Sequence, residues 1–198
     1  MVQNKLRIDN RNFSEHMGST ALSIIHYQKG GSKGKNVIYV SNLGDCRAVL
    51  CNKDNIAIPL TKDHKPMAHD EYIRITNLGG KIIQDNEGTF RIKDLSLSRA
   101  FGDFDAAPFV SHTPDINKYE VTKNDKFIIM ACDGLWDVIS NQDAIDFVLN
   151  KWRELNVKIP AKHTIFSQKS AKNIATSLGQ YAIRIGSMDN ITIQIIFF

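Results

Sequence analysis

The sequence predicts an α+β fold, and three observations carry that reading. Short β-prone runs cluster early in the chain: "NVIYV" (Asn36 to Val40), "RAVLC" (Arg47 to Cys51) and "IAIPL" (Ile56 to Leu60). Two long stretches near the C-terminus place apolar residues at helical spacing. Runs of strands with helices laid over them indicate α+β rather than a parallel βαβ architecture.

Each element has its own signal. "QKGGSKGKN" (Gln28 to Asn36) is Gly/Lys-rich between two apolar segments and reads as a mobile hairpin loop. The three β-prone runs after it, the last two joined by "NKDN" turn chemistry, predict an antiparallel meander. Asp70 to Leu78 reads as a short helix closed by Gly79-Gly80, and "KIIQDNEGTFRI" as a hairpin around Asn86 to Gly88. "FIIMAC" (Phe127 to Cys132) carries no polar side chain except a thiol and predicts a buried strand. Ser140 can cap a helix through Ala144, Ile145, Val148 and Trp152, with Asp143 favourably placed in its first turn. Polar residues end that helix. A second, over Lys169 to Ile185, aligns Ala171, Ile174, Ala175, Leu178, Tyr181, Ala182 and Ile185, with Gly186 at C′. "ITIQII" is the final strand, with Asp189 and Asn190 just before it.

Bulk properties narrow the function classes. A chain of 198 residues fits one domain, which buries roughly 70% of its unfolded surface. Hydrophobic content of 42% and charged content of 23% are near the globular average, so neither disorder nor a membrane span is indicated. The apolar run Ile191 to Phe198 is too short to cross a bilayer. With no apolar leader and no lipidation motif, the expected location is intracellular, cytoplasmic or nuclear. Three cysteines without a C-x-x-C pair read as buried reduced thiols. The net charge of +4 comes from 25 basic and 21 acidic residues spread along the chain, which predicts neither a nucleic-acid nor a membrane partner.

Several motifs fail on spacing. "GGSKGK" has three residues between Gly30 and Gly34, Asn36 in place of Ser/Thr, and a strand rather than a helix after it, so it is not a phosphate-binding loop. "DFDAA" (Asp103 to Ala107) lacks the buried strand that precedes an aspartyl-phosphate site. A cysteine phosphatase needs arginine six places after its nucleophile, where this chain has Asn52, Ala57 and Val138. No H-E-x-x-H occurs, and His64 and His69 are expected as loop or surface residues rather than metal ligands.

A set of acids remains, each where a strand ends. Asp45 follows Leu43-Gly44, Asp133 follows "FIIMAC", Asp137 lies one turn later, and Asp189 precedes "ITIQII". Four carboxylates at strand termini can converge, and hard cations such as magnesium or manganese take oxygen ligands of this kind. Taken singly, each Asp can instead cap a turn or helix locally.

"GSTA" (Gly18 to Ala21), "VSNLGDCRAVL" (Val40 to Leu50), "LTKDHKP" (Leu60 to Pro66), the Glu71/Arg74/Gly79-Gly80 spacing, "LSLSRAFGD" (Leu95 to Asp103), "ACDGLWDVIS" (Ala131 to Ser140) and "DNIT" (Asp189 to Thr192) stand in that order. In this the chain resembles the metal-dependent serine/threonine phosphatases of the protein phosphatase 2C type. The resemblance implies a four-layer α-β-β-α sandwich with antiparallel sheets and a binuclear magnesium or manganese site at one end. It implies hydrolysis of phosphoserine and phosphothreonine esters on a phosphoprotein substrate by water activated at the metals. Asp133 and Asp189 match direct metal ligands; Asp45 and Asp137, with Asp133, match the holders of a third, weaker ion. Asp137 can alternatively favour the dipole of the helix that follows. Gly134 and Asn190 support the ligands, Gly134 by leaving backbone room beside the ion. Arg99 and Asp103 match the family scaffold and are expected in a structural ion pair or turn. Residues Pro66 to Arg91 match a variable flap that influences substrate choice.

The chain also departs from the family. An opening segment with a phosphate-binding arginine, a Met-Glu-Asp-like acid and an Asp-Gly-His-Gly turn has no counterpart here. The expectation is therefore a single, incomplete domain over 1–198, N-terminally truncated, holding half of the binuclear site and exposing sheet edges and an apolar surface. A noncatalytic phosphatase-like binding protein, or one fragment of a split phosphatase with a complementary polypeptide, is the alternative.

Overall fold

The computed structural model describes residues 2–9, 14–29, 35–154 and 168–198. In chain order the elements are α1 (Val2–Asp9), β1 (Gly18–Ser19), β2 (Ala21–Lys29), β3 (Lys35–Leu43), β4 (Arg47–Cys51), β5 (Ala57–Pro59) and α2 (His69–Asn77). Next come β6 (Ile83–Gln84), β7 (Phe90–Arg91), β8 (Phe101–Gly102), a 3-10 turn (Phe104–Ala106) and β9 (Asp115–Val121). The chain closes with β10 (Phe127–Ala131), α3 (Asp133–Trp136), α4 (Asn141–Glu154), α5 (Gln168–Arg184) and β11 (Ile193–Phe197). This is the α+β class that the sequence predicts. The expected loop over 30–34 and the polar stretch expected to follow α4 lie outside the described residues.

Local chemistry sets the helix ends. Ser140 Oγ accepts the Asp143 N–H at 3.1 Å, which satisfies one of the unpaired donors in the first turn of α4. Both α2 and α5 end in the same motif, in which a glycine at positive φ lets two N–H groups turn back onto the last carbonyls. Gly79 (φ 82) and Gly80 donate to Thr76 and Ile75, while Gly186 (φ 111) and Ser187 donate to Ile183 and Ala182.

Contacts divide the chain into two compact units. The first takes Met1–Ile25, Tyr39–Cys46 and Thr61–Lys118. It contains α1, α2, the antiparallel pair β1–β8 and the hairpin β6–β7. The second takes His26–Ile38, Arg47–Leu60 and Tyr119–Phe198. It contains α3, α4, α5 and a four-stranded antiparallel sheet of order β11-β10-β4-β5. A further sheet, of order β2-β3-β9, is built from strands whose residues are shared between the units.

The meander expectation holds for β4 and β5, which pair from Val49↔Pro59 to Cys51↔Ala57. It fails for β3, which pairs with β2 and β9 instead. β4 takes β5 and β10 as its neighbours, so the first run and the next two belong to different sheets.

In the second unit β10 is central, running from Phe127↔Cys51 to Ala131↔Arg47 against β4 and from Phe127↔Phe197 to Ala131↔Ile193 against β11. Ile128 and Ile129, on opposite faces, are both fully buried, which explains why this strand reads as an unbroken apolar run. Val49, Cys51, Phe127 and Ile129 share a core with Ala144, Ile145, Val148 and Trp152 of α4 and Ile174, Leu178 and Ala182 of α5. The Phe127 ring lies 5.4 Å from that of Phe197 and 6.1 Å from that of Trp152. Among the described residues no helix is long and apolar enough to cross a membrane.

Candidate functional site

The rigid end of β10 presents Asp133. After Ala131 the ladder to β11 is carried one step further by the Cys132 N–H, which donates to the Thr192 carbonyl at 3.3 Å. Asp133 follows directly as the first residue of α3. Asp189 stands just before β11, so the two acids emerge at the same end of the sheet from neighbouring strands. Asp133 Oδ1 accepts the Gly134 N–H at 2.9 Å, and Asp189 Oδ1 accepts the Asn190 N–H at 2.6 Å. Each carboxylate thereby orients itself on its own backbone.

Beneath them, α3 is pinned by Trp136. Its Nε1–H is shared between the carbonyls of Arg47 and Ala131, both at 3.1 Å, and the Arg47 guanidinium lies 5.3 Å from the ring centroid. Gly134 serves backbone packing: a Cβ there would stand 2.4 Å from the Asn190 carbonyl oxygen. Asp137 is exposed and forms the C-cap of α3, its N–H donating to the Asp133 carbonyl at 2.9 Å.

In the first unit, Asp45 is only 3% exposed, and the Lys65 ammonium approaches it at 2.5 Å. The turn that carries Asp45 is held from behind. The Gly44 N–H donates to His64 Nδ1 at 2.9 Å, so the ring proton sits on Nε2, which donates to Asp115 at 3.1 Å. Arg99 bridges Asp115 (2.8 Å) and Glu71 (2.6 Å), and Arg74 reaches Glu71 at 2.8 Å and the carbonyls of Ser98 and Phe109. Burial alone would raise the Glu71 carboxyl, but hydrogen bonds from Arg99 and Arg74 hold it at about 2. Asp115, although burial works against it, is held below the ordinary range by His64 and Arg99.

Arg99 therefore sits in a structural ion-pair network, and its partners are Glu71 and Asp115 rather than Asp103. Asp103 adopts a left-handed conformation (φ 46) ahead of the 3-10 turn. Its carboxylate lies where a Cβ on Gly18 would fall, 1.8 Å from Oδ2, which explains the glycine of "GSTA". Burial, with Asp105 nearby, pushes the Asp103 carboxyl up.

Among the described residues no three His, Cys, Asp or Glu side chains are grouped as a metal cluster would need. His64 lies in a loop, as expected, but it is only 2% exposed and ties the Gly44 turn to Asp115. His69 is exposed, as expected.

Asp133 and Asp189 nevertheless suit a hard divalent cation. Magnesium commonly takes one or two protein carboxylates and completes its shell with water and substrate phosphate, so a pair of this kind is within its ligand range. Sequence reasoning overlooked Cys132, Ser187, Lys65 and Asp115. "KDHKP" and "GSMDN" were visible as strings, but nothing local says what those side chains meet.

The protein phosphatase 2C family model matches residues 2–191. Over 175 residues the chain is 47% identical to a PP2C-like domain-containing protein, R307, of Acanthamoeba polyphaga mimivirus, covering 84% of this chain and 97% of that one. It is 42% identical over 164 residues to protein phosphatase 2C 7 of Arabidopsis thaliana, covering 80% of this chain and 32% of that one. It thus spans nearly all of the viral relative and about a third of the plant one. Among solved structures, a C. elegans sex determining protein superposes with TM-score 0.75 at 24% identity, over 91% of this chain and 40% of that one. Serine-threonine phosphatase 2C from Toxoplasma gondii does so with TM-score 0.68 at 24% identity, over 100% and 62%. These two share the fold.

Proposed function

The chain belongs to the protein phosphatase 2C family, and from that premise we propose that it hydrolyses phosphoserine and phosphothreonine esters on proteins, with magnesium or manganese held by Asp133 and Asp189. The observation that carries this reading is the emergence of both carboxylates at one end of a sheet, just beyond the ends of adjacent strands whose register is fixed by five residue pairs. A divalent cation bound there supplies positive charge against the phosphoryl oxygens. The protein's part is to keep the two acids oriented and still. Gly134 and Asn190 do the orienting through their N–H groups, and Trp136 does the anchoring.

Asp45 and Asp137, matched by resemblance to a third and weaker ion, have other work in this reading. Asp45 neutralises Lys65, and Asp137 ends α3. Residues 66–91, including α2 and the β6–β7 hairpin, expose Met67, Tyr72, Ile73 and Ile83. That apolar surface supports a role for this stretch in contacting the phosphoprotein substrate.

The test is release of phosphate from a phosphothreonine peptide by the purified chain in manganese. Turnover that requires the metal and disappears in Asp133→Asn and in Asp189→Asn is expected. No turnover at saturating manganese, or full activity in both variants, overturns the reading.

A further inference from the structure

The main-chain ladder between β10 and β11 ends before it reaches the acids. Its last rungs are the Ala131↔Ile193 pair and the bond from the Cys132 N–H to Thr192. Beyond that point, side chains hold the two segments together. Cys132 Sγ–H donates to the Asn190 carbonyl at 3.2 Å, and the same sulfur accepts the Thr192 N–H at 3.2 Å. Ser187 Oγ–H donates to the Gly134 carbonyl at 2.6 Å. Gly134, having no side chain, lets the Asn190 carbonyl come close.

The pattern of these links is specific. Cys132 precedes Asp133 and Gly134 follows it; Ser187 precedes Asp189 and Asn190 follows it. Each acid is therefore bracketed on both sides by residues tied to the segment that carries the other acid. The local bond of each carboxylate to its own next N–H fixes its rotamer, and beyond the end of the ladder the cross-links tie the two backbones to each other.

The geometry points to Cys132 and Ser187 as positioning residues that set the spacing of the Asp133–Asp189 pair for a divalent cation. This rests on the assignment of those acids as ligands. A thiol is a weak donor and acceptor, so the contribution of Cys132 to overall stability is small. Its effect on the ligand pair is larger, because cation affinity depends on carboxylates held in place and falls about tenfold or more when residues that orient the ligands are removed.

Two measurements on the whole chain test this, neither needing turnover. One is manganese affinity, read from the electron paramagnetic resonance signal of free Mn(II). The other is hydrogen exchange of the Thr192 amide. Ser187→Ala and Cys132→Ala should each weaken manganese binding about tenfold with a native circular dichroism spectrum. Cys132→Ala should also speed Thr192 exchange, and Cys132→Ser, which keeps a donor and an acceptor, should bring both readouts back close to wild type. Unchanged manganese affinity in both alanine variants, where Asp133→Asn abolishes binding, overturns the inference. If Asp133→Asn binds manganese as the wild type does, the ligand assignment falls instead. The clamp is then decided by the amide alone, and unaltered Thr192 exchange in Cys132→Ala removes it.

Discussion

Glu71 shows how a single side chain organises a neighbourhood. It is 3% exposed yet ionised, because two guanidinium groups converge on its oxygens. The Arg74 partner lies one turn away on the same helix and is legible in the sequence as an i,i+3 pair. Arg99 lies 28 residues on and is not. Removing the carboxylate leaves Arg74 with carbonyl acceptors only and Arg99 with Asp115 as its one remaining carboxylate partner, so Glu71→Ala should cost about 3 kcal/mol in urea denaturation at neutral pH. The pH dependence has a definite sign. The folded carboxyl titrates at about 2 against an ordinary 4.5, so its contribution is fully present above pH 4.5 and is lost as pH falls towards 2. Melting temperature followed across that window should fall more gently in Glu71→Gln than in wild type; identical slopes would show that another group carries the acid sensitivity. Cys51 behaves oppositely: burial pushes its thiol up to about 11, keeping it neutral and apolar in the core.

At the scale of elements, caps and periodicity are where sequence reading succeeds. The helix expected from Lys169 to Ile185 runs from Gln168 to Arg184, and that expected from Asp70 to Leu78 runs from His69 to Asn77. Each boundary depends on groups within one turn of it, so the signal lies beside the structure it specifies. Ser140 is the clearest instance, and Ser140→Ala should destabilise the chain by about 1 kcal/mol in equilibrium unfolding. Rescue by Ser140→Asp would assign the loss to the cap. The misplacement of β3 shows the limit. Three β-prone runs in succession look like a meander, yet the first pairs with the distant strands β2 and β9 in another sheet.

For the whole molecule, the weight of the second unit falls on Phe127, which is fully buried and touches the rings of Trp152 and Phe197. Phe127→Ala should cost about 3–5 kcal/mol. Trp152 fluorescence during denaturation would report it, and a loss below about 1 kcal/mol would mean that the core closes over the gap.

The sequence alone determined the fold class, most helix limits, the buried strand ahead of Asp133 and the family, because each is written in residues adjacent in the chain or in motifs kept in order. The tertiary structure decided which side chains meet. That Asp45 faces Lys65, that His64 is buried against Gly44 and Asp115, and that Cys132 and Ser187 join the two acid-bearing segments all follow from packing between distant positions, with Cys132 and Asn190 separated by 58 residues. Periodicity and propensity are local quantities, whereas contact partners are selected by the energy of the assembled core, and no short window of sequence contains that information.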